Sequence, residues 1–140
     1  MKQMLHIILC LALMVGCASP YQRGTYDLYL IPQGYEGIIR VTYNVKEAPL
    51  LEREGKYDVI PVDSNGKYET SNPMYDYGEV IDQYFYVDEK GNRTAIDPTC
   101  VNIRGTGGTS VGEVETHHTE IEVTNSLCGE DFMLHGSNRS

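Results

Sequence analysis

From Thr25 onward the chain keeps a period of two. Short runs rich in β-branched and aromatic residues are punctuated by Gly, Pro, Asn and Asp roughly every 8–12 residues, and no window of helical length repeats its apolar positions every 3.6 residues. Tyr26, Leu28 and Leu30 alternate with Asp27 and Tyr29 in a first strand, PQGYEG from Pro32 to Gly37 turns the chain, and Ile38 to Val45 (IIRVTYNV) is a second strand. The two read as a hairpin. Glu47 to Gly55 is a connection with at most a brief turn, and Tyr57 to Val62 is a third strand whose Pro61 suggests an edge or an end. The tight-turn pair Asn65-Gly66 leads into Lys67 to Thr70, Ser71 to Gly78 is a loop, and Gln83 to Val87 and Arg93 to Ile96 flank the turn Glu89 to Asn92. Asp97-Pro98 breaks the chain before a short extended stretch from Cys100 to Arg104. Gly105 to Gly108 reads as a flexible turn, Glu113 to Thr124 as the longest strand, and Leu127 to Leu134 as a last short one. The expected fold is therefore all-β: an antiparallel β-sandwich, Ig-like or transthyretin-like, or a small barrel.

The first residues follow a different grammar. Lys2 supplies a positive charge, an apolar run extends from Met4 to Val15, and Gly16 and Cys17 follow. That is the layout of a secretory signal, and the run is too short to span a bilayer as a helix. The stretch Leu13-Met14-Val15-Gly16-Cys17 resembles the lipobox of bacterial lipoproteins, with Met14 where Leu is usual. The resemblance implies a diacylglyceryl group on the Cys17 thiol, cleavage before Cys17, and often acylation of the new amine. Two or three chains make a stable anchor where one binds only reversibly. The expected organisation is a signal peptide over 1–16, a lipidated tether over 17–24, one β-rich domain over 25–134 and a frayed tail over 135–140. Ala18 follows the Cys, which by resemblance to enterobacterial lipoproteins favours the outer membrane where the host has one.

The chain carries a net charge of −9, and removal of Lys2 makes it one unit more acidic. Such a body repels the phosphates of nucleic acid and should not lie against anionic lipid. Among the cysteines, Cys10 is lost with the signal and Cys17 carries lipid, which leaves Cys100 and Cys128. In an oxidising compartment these two most simply form a disulfide, although free thiols or metal ligands with His117 or His118 are alternatives.

Candidate chemistry is sparse. His117 and His118 are adjacent, so on a strand they face opposite ways and cannot easily share a metal. The apolar phase slips between Val111 and Val114, and a β-bulge near the histidine pair accounts for it. Residues 104–110 (RGTGGTS) lack the Lys of a phosphate loop, the acidic residues lack calcium-loop spacing, and Ser110 lacks a nucleophile elbow. No catalytic residue, cofactor or metal is assigned. Tyrosine is the unusual feature: eleven, against two Phe and no Trp. Tyr75, Tyr77, Tyr84 and Tyr86 cluster in sequence and form a candidate binding patch, since each joins an apolar body to a polar tip; the alternative is a structural role in the sheets.

Tyr29 to Gly37 (YLIPQGYEG), Ile38 to Asn44 (IIRVTYN) and Ala48-Pro49-Leu50, with Tyr84 to Asp88 and then Gly91, resemble an uncharacterised family of small bacterial lipoproteins. That family opens YLIPxGYxGxIxIxYN…APPL and continues through a serine-rich turn to a YYVD…G hairpin. The resemblance covers roughly residues 25–110; Leu51 stands where a second Pro often falls. It implies a β-rich envelope domain and transfers no site residue. The expectation is an envelope lipoprotein on the extracytoplasmic side of a membrane, acting as a noncatalytic binding or structural module for an envelope protein or polysaccharide. The alternatives are a lipid-tethered hydrolase of cell-wall or surface polymers, and a small-ligand or metal binder.

Overall fold

A computed structural model describes residues 25–74 and 79–138. Among these residues nine strands build two sheets: β1 (Asp27–Pro32), β2 (Gly37–Tyr43), β3 (Glu52–Glu54), β4 (Tyr57–Pro61), β5 (Lys67–Glu69), β6 (Gln83–Val87), β7 (Arg93–Ala95), β8 (Val101–Val111) and β9 (Val114–Val123). The first sheet has the order β3-β4-β1-β6-β7 and the second β5-β2-β9-β8. The fold is an all-β sandwich, as expected, but its sheets are mixed. β1 runs parallel to both β4 and β6, and β2 parallel to β5.

That pairing corrects the hairpin expected from β1 and β2. The turn after Pro32 carries the chain from one sheet to the other, and Tyr35 supports the crossing through its amide bond to the Pro32 carbonyl at 3.0 Å. Gly66 lies under the Tyr35 ring with φ of 75°, where a Cβ would fall 1.9 Å from the Tyr35 hydroxyl oxygen. Only glycine fits both demands.

The inner faces meet in a single core of Tyr29, Ile31, Ile39, Val41, Tyr43, Ile60, Val62, Tyr84, Tyr86, Val101, Ile121 and Val123 among others. The phase expected for β1 is inverted: Asp27, Tyr29 and Ile31 face the second sheet, while Leu28 is buried on the other side. The first sheet curls. Arg93 of β7 and Glu54 of β3, on its two edges, form a two-pronged ion pair at 2.8 and 2.9 Å. Flat, those edges would stand about 19 Å apart. The curl stops short of a barrel, because β3 and β7 share no backbone ladder.

Five local expectations change. The Glu47 to Gly55 connection contains β3. The presumed glycine turn at Gly105 to Gly108 lies inside β8, paired with β9. The irregularity sits in β8 between Ile103 and Gly105, and the ladders through His117 and His118 run without a break. Leu127 to Leu134 is not a strand but contributes a short helix, α1 (Glu130–His135). Phe132 is buried beneath it, and a disulfide between Cys100 and Cys128 ties its approach to β8. The tail expected from position 135 is held as far as Ser137, whose amide donates to Glu122 Oε2 at 3.2 Å.

Candidate functional site

The same pattern runs along β1, β4 and β6 and the residues that flank them. Asp27-x-Tyr29-x-Ile31, Asp58-x-Ile60-x-Val62 and Asp82-x-Tyr84-x-Tyr86 lie side by side, parallel and in register. Parallel strands in register stack like residues in rows. One row is therefore acidic, and the rows behind it are aromatic and aliphatic. The three aspartates are half-buried at one end of the inner face. The Tyr43 hydroxyl, from the second sheet, stands by Asp27 and favours its charged form.

Crowding carboxyls here changes their acidity. Burial pushes the Asp27 carboxyl up to about 7, with the charges of Asp82 and Asp58 adding to it against the Tyr43 hydrogen bond. Burial likewise raises Asp82 to about 6, opposed by the Asp27 amide and Thr25. Burial pushes Tyr29, Tyr43 and Tyr84 up first; these carboxylates come next for Tyr43 and Tyr84, and for Tyr29 they follow Tyr43, so all three stay neutral. A carboxyl held near neutrality sits where proton exchange is easiest.

Asp82 also lines a cleft of about 350 Å³ on the flank where the sheets part. Its walls are Val80 and Tyr84 from the β6 side, Pro98, Val101 to Ile103 at the start of β8, and Met133 and Leu134 of α1. The mouth is apolar: Val80, Ile103, Met133 and Leu134 are all exposed. Its polar groups are engaged. Asn102 Nδ2 donates to the Met133 carbonyl at 2.8 Å, and Asp82 Oδ1 accepts the Asp27 amide at 3.0 Å. Behind Asn102, Glu122 is held by Arg104 at 3.0 Å and by the Ser137 amide. Burial alone would raise its carboxyl, but these partners leave it low. A second, shallower depression of about 750 Å³ lies between Leu30, Pro61, Val87 and Glu89, and its Asp88 is occupied by the turn it caps.

Two of the four tyrosines of the expected binding patch lie among the described residues. Tyr84 and Tyr86 are each 8 % exposed and belong to the core. Tyr84 stacks near Tyr29, with ring centroids 5.2 Å apart, and the Tyr86 hydroxyl donates to the Tyr35 carbonyl at 2.8 Å. Tyr84 keeps an edge on the cleft; Tyr75 and Tyr77, like Cys17, lie outside the described residues. The disulfide between Cys100 and Cys128 forms as expected, with 4.3 Å between Cα atoms.

The histidines stand apart from the cleft. His117 lies 3.6 Å from the exposed Glu115, and His118 packs flat against Gly107, where a Cβ would approach its ring to 2.6 Å. The glycines of β8 thus make room for side chains of β9. His135 pairs with Asp131 at 3.3 Å on α1. Among the described residues no three His, Cys, Asp or Glu side chains gather as a metal site. Among them, too, no helix is long and apolar enough to cross a membrane.

The acidic row was within reach of the sequence. A repeated Asp-x-apolar-x-apolar pattern from Asp27, Asp58 and Asp82 is its signal, and the parallel register that aligns the three is what the pattern alone does not carry.

The chain resembles the crystal structure of a protein from Bacillus anthracis described as a "putative lipoprotein". The two are 34 % identical, with a TM-score of 0.80 over 84 % of this chain and 82 % of that one. No curated protein matches it in sequence. Residues 23–132 match DUF6843, a family of unknown function. On that match, which spans the strands of both sheets and the acidic row, the chain belongs to the DUF6843 family.

Proposed function

We propose that this protein is a lipoprotein held on the extracytoplasmic face of a bacterial membrane by acyl chains on Cys17. Its β-sandwich acts there as a noncatalytic binding or structural module of the envelope. The lipobox-like stretch ending at Cys17 and the lipoprotein name of the Bacillus anthracis relative support the address. The observation that carries the noncatalytic reading is the cleft itself. Its walls are mostly apolar, its amide and carboxyl each hold a hydrogen bond within the fold, and His117, His118 and Ser110 lie elsewhere. General acid–base or nucleophilic catalysis needs such groups converging on one open point.

Photocrosslinking from residues around the cleft in intact membranes tests this. Retrieval of one defined envelope component or of lipid is expected. Turnover of cell-wall or surface polymers by the purified protein, lost in Asp82→Asn, would contradict it and favour the hydrolase.

A further inference from the structure

We propose that the apolar mouth of the cleft faces the membrane, resting on the lipid surface in which Cys17 is anchored; this rests on the anchoring reading above. The argument begins where the described chain does. Thr25 is bridged to Val80: its amide donates to the Glu79 carbonyl at 3.0 Å, and its own carbonyl accepts the Ile81 amide at 3.0 Å. The tether is thus fastened to the segment that forms one lip of the cleft.

Eight residue steps separate Cys17 from Thr25. Fully extended they reach at most about 28 Å, and the headgroup layer takes up part of that. A surface fastened so closely meets lipid at a high effective concentration, so even a weak affinity is expressed. The side chains clustered there suit that contact. Val80, Ile103, Met133 and Leu134 are exposed, and Leu134 is 60 % exposed. Soluble surfaces scatter such residues singly; grouped around one mouth, they mark an interaction face.

Charge narrows the lipid. The body is strongly acidic, so headgroups without net charge suit it better than anionic ones. Asn102 and Asp82 each already hold a hydrogen bond within the fold, and the side chains exposed at the mouth are aliphatic or thioether, which favours lipid over a polar protein surface. Docking therefore draws on apolar burial at the mouth.

The chain has no Trp, so single tryptophans report position without background. The full acylated protein carrying Leu134→Trp, or Ile103→Trp as a second reporter of the same face, is placed in phosphatidylcholine vesicles with brominated acyl chains. Leu50→Trp and Val111→Trp report other exposed surfaces. The expected result is at least twofold quenching at 134 and 103, with little change at 50 and 111. Vesicle-bound protein quenched equally at all positions, quenched mainly at 111, or unquenched at 134 and 103 would overturn the docking while leaving the anchor intact. Protein that does not float with the vesicles would overturn the anchor, and the docking with it.

Discussion

The amide of Asp27 donates to Asp82 Oδ1 at 3.0 Å, so two carboxyls that water would keep ionised share one half-buried end of the sandwich. Both are raised, Asp27 to about 7 and Asp82 to about 6. The folded state therefore binds their protons more tightly than the unfolded chain does. That contribution is fully present below the ordinary aspartate range near 4 and is lost as pH rises to about 7. Replacing Asp27 by Asn keeps an acceptor for Tyr43 and removes the charge. Thermal unfolding followed by circular dichroism should show Asp27→Asn raising the midpoint at pH 8 and changing it little at pH 4. An equal shift at both values would show that the carboxyl is not perturbed.

The disulfide between Cys100 and Cys128 closes a loop spanning 28 positions and carries α1 against β8. The chain-entropy relation assigns such a loop about 3.5 kcal/mol. Urea unfolding of Cys100→Ser/Cys128→Ser should show a loss of that order, with hydrogen exchange rising first in α1. Unchanged protection of the Met133 and Gly136 amides would contradict the role given to the bridge.

Gly107 leaves the space in which the His118 ring lies. Gly107→Val should destabilise the domain by about 1–3 kcal/mol through displacement of that ring. Gly112, at the hairpin tip, has open space around it, and its positive φ of 63° makes Asn its mildest substitute. Gly112→Asn should cost well under half as much as Gly107→Val in the same urea titration.

Tyr86 is a test of what the tyrosines do. Its hydroxyl bonds the Tyr35 carbonyl and its ring is core, so Tyr86→Phe should lose about 1 kcal/mol of stability. Crosslinking yield at the cleft should be unchanged, because Tyr86 does not line it. A yield that falls with folding intact would restore the tyrosines to a binding role.

Much of the sandwich was legible in the sequence, and the failures have physical causes. β4 and β6 announce themselves because alternation and turn residues agree at both ends. The false β1–β2 hairpin arose because a turn rich in Pro and Gly looks the same whether it returns to its own sheet or crosses to the other. Only the Tyr35–Gly66 contact, remote in sequence, separates the two. β8 was cut at its glycines because glycine is a poor strand former, and the compensation comes from histidines across the ladder. α1 spans six residues, too few to show a helical period, and depends on a disulfide for its place. The acidic row was missed because its meaning lies in the register of three parallel strands, which alternation alone does not supply.

The anchor on Cys17 is the claim on which address, tether length and membrane-facing cleft all depend. Fractionation of cells expressing the native chain or Cys17→Ser tests it most directly. The native protein should pellet with membranes and release into detergent, with a mass that includes acyl chains, whereas Cys17→Ser should lack that mass and leave the membrane fraction. A native protein without acyl mass, or a Cys17→Ser protein that partitions as the native one does, would contradict the account.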